Sequence, residues 1–166
     1  MVTEAREELR QLDALLYALM DDAIAAAEFW HDRADGFSRR TYVRTVFALV
    51  EGTSHLLMTS ALRFDELREN SVLTRKDLDF LLGESKKTTC DTFKSAVKVH
   101  AKARNLELQI SFGGQGWEQF RNAMDIRHQI THPKSLDTLD ITLDDLKVIE
   151  DAMDFFRQVT AQFLQK

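Results

Sequence analysis

The sequence predicts an all-α protein, an up-and-down bundle of about five helices in a single domain over residues 1–166. Three observations support this fold class. The chain has only six glycines and one proline, which favours long helices over a turn-rich β fold. Its hydrophobic fraction of 44% over 166 residues is enough for one core. Apolar residues also recur at steps of three and four along most of the chain, which is typical of amphipathic helices.

The N-terminal part is predicted to form two long helices. The first runs from Thr3 to Arg33, and Gly36 is expected to end it in a left-handed conformation. Ser38 is expected to cap the second, which continues to Asn70. Its first turns contain cations that the helix dipole disfavours and that form either a surface cluster or a phosphate contact: Arg39, Arg40 and Arg44.

Capping patterns predict the later helices. Thr74 and Asp77 form a capping-box pattern before a short helix that Gly83 closes, and Thr142 and Asp145 repeat the pattern before the last helix. A basic helix is expected from Thr89 to Arg104. The following residues 106–110 alternate weakly, as a short extended piece would, and residues 111–116 are expected to form a loop. Their glycines lack the strand and the Gly-Lys-Ser/Thr of a P-loop.

Composition excludes several classes of protein. The single cysteine, Cys90, excludes an intrachain disulfide and a multi-cysteine zinc site, and it fits a cytoplasmic location. No signal peptide and no apolar run of membrane-spanning length is expected. The net charge of −5 disfavours a general nucleic-acid binder. One helical face is nevertheless basic, as a solvated surface or as a contact for RNA, through Lys94, Lys98 and Lys102.

The segment from Phe120 to Lys134 departs from a simple packing pattern. It lies on a helix predicted from Gln115 to His132, where the chain's only proline, Pro133, ends the helix. Arg127 falls among apolar positions of this helix, and an unpaired charge is costly to bury. Glu51 is a candidate partner for it. His128 and His132 form a polar stripe beside the apolar face.

Four interpretations of Arg127, His128 and His132 remain open from the residues themselves. A zinc site is disfavoured because Gln129 replaces the general-base glutamate of the zincin motif and no third ligand is evident. The second interpretation is a structural pair between Arg127 and an acid, and the third, nucleophilic catalysis, has no supporting motif. The fourth is metal-independent cleavage of RNA, since histidines transfer protons near neutrality and arginine binds phosphate oxygens.

The stretch Arg127-His128-Gln-Ile-Thr-His132 resembles the Arg-polar-x-x-x-His signature of HEPN domains, small helical proteins of bacterial defence and toxin systems. The resemblance extends to the helical layout of the whole chain, to the position of the motif at the end of the penultimate long helix, and to Asp140–Leu146, which opens the last helix.

This resemblance implies a homodimer whose facing motifs form a composite endoribonuclease site without metal or other cofactor. By position, Arg127 would stabilise the phosphate, His132 would act as general acid or base, and His128 would orient or assist. An antitoxin or an associated defence protein would be a further partner. Some members of the family only bind nucleotides or partners, so a non-catalytic module is the alternative. Lys134 and the Lys94, Lys98 and Lys102 face are expected RNA contacts on grounds of charge alone.

Overall fold

The structure, a computed structural model, describes residues 2–84 and 86–164. The protein is all-α, since every regular element among these residues is a helix. The six α-helices, with a short 3-10 helix between the last two, are α1 (Val2–Arg33), α2 (Gly36–Glu66), α3 (Arg75–Leu81), α4 (Thr89–Arg104), α5 (Gln115–Thr131), the 3-10 helix (Asp137–Leu139) and α6 (Leu143–Leu164). The expected extended piece at residues 106–110 is therefore not a strand.

The described residues form two compact units. Unit 1 contains the described residues up to Ala18 and those within Glu51–Gln109, and unit 2 contains Leu19–Val50 and the described residues from Ile110 on. Helices α1 and α2 each contribute to both units. The assignment of residues 1–166 to a single domain stays a prediction.

In unit 1, α4 packs its apolar side into the core. Phe93 and Val97 are fully buried there, and His100 is buried beside Ser60 of α2, with His100 Nδ1 2.9 Å from Ser60 Oγ. The predicted capping box before α3 is confirmed: the backbone N–H of Asp77 donates to Thr74 Oγ1, and the backbone N–H of Thr74 donates to the Asp77 carboxylate. These two hydrogen bonds fix where α3 starts.

In unit 2, α5 packs along α6 and also against the 3-10 helix. An aromatic cluster at the beginning of α5 joins the two helices. Its rings lie 5.2–6.1 Å apart, and its members are Phe112, Trp117, Phe120 and Phe155. Gly116 lies inside this contact, because a Cβ atom there would come within 2.8 Å of Phe155 Cδ2. Helix α5 begins at Gln115, as predicted, so residues 115 and 116 belong to the helix and not to the loop predicted over residues 111–116.

The junction between α1 and α2 differs from the prediction. Ala34, rather than Gly36, adopts the left-handed conformation, with φ of 50°, and its N–H donates to the Trp30 carbonyl to close α1. Asp35, rather than Ser38, caps α2, because its carboxylate accepts the Ser38 N–H at 2.7 Å. This hydrogen bond also lowers the pKa of Asp35. The predicted cap Ser38 instead lies inside the first turn of α2, which begins at Gly36.

Helix α2 ends at Glu66, before the predicted Asn70. The carboxylate of Asp65 accepts hydrogen bonds from Ser71 Oγ and from the Val72 N–H, at 2.6 and 3.0 Å. Side-chain bonds of this kind compete with the helical ladder and turn the chain away from the helix axis.

Candidate functional site: the exposed histidine pair at the end of α5

The core contacts of α5 determine which side chains of the central stretch reach the surface. Ile126 and Ile130 are buried, at 8% and 1% exposure, whereas His128 and His132 are exposed. Arg127 is half-buried, between the two faces. The polarity pattern predicted from the sequence is therefore confirmed on the helix.

Pro133 ends α5 as predicted. Thr131 is the last helical residue, and His132 has φ of −126° and ψ of 63°, outside the helical region, while its N–H still donates to the His128 carbonyl. The hydroxyl of Thr131 donates to the Arg127 carbonyl at 2.8 Å. These bonds hold the last turn together, so that the second histidine leaves the helix at a defined position.

The two histidines form a close pair. Their ring centroids lie 5.0 Å apart with the planes inclined by 58°. Among the residues that the structure describes, neither imidazole has a hydrogen-bond partner, and both are exposed. Both rings are therefore accessible to a ligand.

The arginines at the start of α2 have a structural role in unit 2. Arg44 donates to the Ile130 carbonyl at 3.3 Å, Arg40 to the Leu139 carbonyl at 3.0 Å, and Arg39 to the Ile141 carbonyl at 2.9 Å. Carbonyls in the last turn of a helix lack intrahelical donors, so Arg44 supplies one that α5 requires. The three cations thus attach the helix exit and the segment after it to α2.

Sequence analysis did not identify this positioning role. The sequence does contain a sign of this role, because three cations lie at a helix start, where the helix dipole disfavours positive charge. Their partners are carbonyls of residues about 86–102 positions away, which sequence patterns do not reveal. The structure thus gives this cluster a role in attaching distant carbonyls, which neither of the two interpretations left open for it had included.

The predicted site residues fall into two groups. Arg127, His128, His132 and Lys134 lie together at the exit of α5, and Lys134 is exposed. Lys94, Lys98 and Lys102 lie on α4 in unit 1, and Lys102 Nζ forms an ion pair with Asp77 at 2.6 Å. Their roles, like the pairing of Arg127 with Glu51, stay predictions.

The residues after the motif include exposed apolar side chains that the sequence analysis did not single out. Leu136 is 85% exposed and Leu143 is 62% exposed, on either side of the 3-10 helix. Exposed apolar patches are typical of contact surfaces. In the sequence, Leu136 lies in the connection after α5 and Leu143 is the first residue of α6.

Comparison with protein-family models, with curated proteins and with solved structures finds no significant match to this chain. No helix among residues 2–84 and 86–164 is long and apolar enough to cross a membrane. Within the same residues, no group of three or more His, Cys, Asp or Glu side chains has the arrangement of a metal site.

Proposed function

We propose that the protein is a metal-independent endoribonuclease with a HEPN-like helical bundle fold, acting in a toxin or antiviral-defence context. The observation that carries this proposal is the pair of exposed histidines beside half-buried Arg127 at the exit of α5. Here both rings face solvent on a helix end that several other residues hold in position.

The chemistry required is attack of a ribose 2′-hydroxyl on the neighbouring phosphorus. A base removes the proton of that hydroxyl, and an acid protonates the departing 5′-oxygen, so that the products are a 2′,3′-cyclic phosphate and a free 5′-hydroxyl. Histidine suits both roles near neutral pH. We assign one of these roles to His132, and an orienting or assisting role to His128.

Arg127 is assigned to the developing charge on the phosphorane. A guanidinium has a planar set of donors that matches two phosphate oxygens, and its charge persists at all physiological pH values. Partial burial strengthens such an interaction relative to one in bulk water. We assign Lys134, which is exposed two residues beyond His132, to a neighbouring phosphate of the RNA strand.

A homodimer would complete the site. In-line displacement needs the base and the acid on opposite sides of the phosphorus, whereas His128 and His132 of one chain lie side by side, 5.0 Å apart. A two-fold axis near the exit of α5 would bring the second pair from the opposite side. Exposed Leu136 and Leu143 provide apolar surface for such a contact beside the motif.

The composite site makes a prediction for mixed dimers. Neither Arg127→Ala nor His132→Ala alone is expected to cleave RNA. If one site needs Arg127 and His132 from different subunits, mixing the two variants restores part of the activity in the heterodimer. No recovery after verified subunit exchange would exclude a site that takes Arg127 from one subunit and His132 from the other.

The exposed leucines also support a second candidate function, a non-catalytic module that dimerises or binds a partner through the same surface. The two candidates differ in what the histidines do. In the module they are dispensable for the protein's effect, whereas in the nuclease His132 is essential.

Expression in bacteria separates the two candidates. The wild-type chain and His132→Ala are induced at equal levels, and growth and the ends of total RNA are compared. The proposal predicts slowed growth and new RNA ends with 2′,3′-cyclic phosphates for the wild type only. Equal growth and identical RNA ends for both chains would favour the binding module.

A further inference from the structure

An open pocket on unit 1 is lined mainly by lysines. Its volume is about 710 Å³, and we call it the lysine pocket, formed by Lys86, Lys87, Thr88, Asp91, Lys94, Ser95 and Lys98. The four lysines come from the first turns of α4 and from the segment before it. The pocket thus differs from the linear stripe of lysines that the sequence predicted.

The lining is strongly cationic. Four lysines against one aspartate give a net charge of +3, in a chain whose overall charge is −5. The Asp91 carboxylate is engaged in the cap of α4, where it accepts the Thr88 hydroxyl at 2.8 Å.

One of the lysines is held in place. Lys87 Nζ donates to Ser95 Oγ at 2.6 Å and lies 4.3 Å from the centroid of the Phe80 ring, a cation–π distance. Its ammonium is therefore positioned over the pocket before any ligand arrives, which reduces the entropy lost on binding.

Lys102, the third residue of the predicted stripe, does not line the pocket. Its ammonium lies 2.6 Å from the carboxylate of Asp77, which also closes the capping box of α3. The structure thus separates Lys94 and Lys98 from Lys102, although all three lie on one face of α4.

We infer that the lysine pocket binds adjacent phosphate groups. Lysine ammoniums act as point charges for phosphate, and a concave cluster of net charge +3 favours a ligand with several negative charges over a single carboxylate. Adjacent phosphates can come from an RNA backbone or from a free polyphosphate. The inference that the pocket binds an RNA backbone rests on the proposed function, whereas the inference that it binds a free polyphosphate does not.

The test measures binding to the full chain without any cleavage. The probes are a 2′-O-methylated RNA oligonucleotide, which cannot undergo attack by its own 2′-hydroxyl, and tripolyphosphate. Lys94→Ala/Lys98→Ala is expected to weaken binding of at least one probe by about tenfold at low salt and to reduce the salt dependence. Lys76→Ala/Lys147→Ala, on exposed positions outside the pocket, removes the same charge and is expected to leave affinity within about twofold.

A second comparison separates the pocket from the stripe. Lys98→Ala should weaken binding more than Lys102→Ala, since only Lys98 lines the pocket. Equal losses for these two variants, equal losses for the two double variants, or no binding of either probe would overturn the inference. Loss for the RNA only would identify a nucleic-acid contact, and loss for tripolyphosphate would identify a polyphosphate site.

The outcome is independent of the proposed nuclease activity. Binding that requires Lys94 and Lys98, in a protein that cuts no RNA, would support the lysine pocket and refute the nuclease. Cleavage of RNA by a protein whose binding does not require Lys94 and Lys98 would support the nuclease and refute the lysine pocket.

Discussion

His100 makes the stability of this protein depend on pH. Its side chain is 4% exposed, its Nδ1 lies 2.9 Å from Ser60 Oγ, and its ring meets Phe64 edge-on at 5.7 Å. Burial lowers the pKa of His100 to about 4, and the charge of Arg104 acts in the same direction. In the unfolded chain the same imidazole titrates at its ordinary value of 6.5.

The size of the effect follows from this difference. Between pH 6.5 and pH 4 the unfolded chain binds a proton that the folded chain does not, so stability falls as the pH falls. The two pKa values predict a loss of about 2 kcal/mol by pH 5 and about 3 kcal/mol by pH 4, relative to pH 7.5. Such a loss is a large fraction of the stability of an ordinary domain.

The assay is urea unfolding from pH 7.5 to pH 4 for the wild type and His100→Asn. Asparagine keeps a polar group near the position of Nδ1 but does not titrate, so the carboxylates contribute equally to both profiles. The variant is expected to be less stable at pH 7.5 because its side chain is smaller, and the gap should narrow by about 3 kcal/mol towards pH 4. Parallel stability–pH profiles for the two proteins would refute the argument that burial of His100 favours the neutral imidazole over the charged one.

Three further predictions concern unit 2. Gly116→Ala should lower stability by about 1 kcal/mol in thermal unfolding, because the clash with Phe155 outweighs the gain in helix propensity, and a stabilised variant would contradict this packing. Leu136→Asp should weaken the proposed homodimer in sedimentation-velocity ultracentrifugation without lowering the melting temperature, since its side chain is exposed; an unchanged dimer would exclude this leucine from the interface. Arg44→Ala should cost about 1 kcal/mol of stability and lower the rate of RNA cleavage, because it removes the hydrogen-bond donor to the Ile130 carbonyl at the end of α5. Unchanged activity of this variant would show that this hydrogen bond is not needed to position the histidines.

Local sequence patterns predicted much of the fold. The capping boxes before α3 and α6 are both present, and α5 ends where Pro133 requires it. The buried and exposed sides of α5 also follow the predicted wheel, including the exposure of His128 and His132. These features depend on residues within a few positions of one another, which is why the sequence alone indicates them.

Features that depend on distant residues could not be predicted in this way. The arginines at the start of α2 bond to carbonyls that no side-chain pattern marks, and Gly116 is small because Phe155 of another helix approaches it. The ion pair of Lys102 is a further example, since its partner Asp77 lies 25 residues earlier. Sequence periodicity indicates which face of a helix a residue occupies, but it does not indicate which distant residue that side chain contacts.

Cleavage of RNA by the purified protein in EDTA tests the central claim most directly. The wild type and the His132→Ala variant are compared with His31→Ala, which removes another exposed histidine, and all three are first checked for equal melting temperatures. The account predicts cleavage that persists in EDTA, a loss of about 100-fold or more for His132→Ala, and no comparable loss for His31→Ala. Equal cleavage by the wild type and His132→Ala, or cleavage abolished by EDTA, would contradict it.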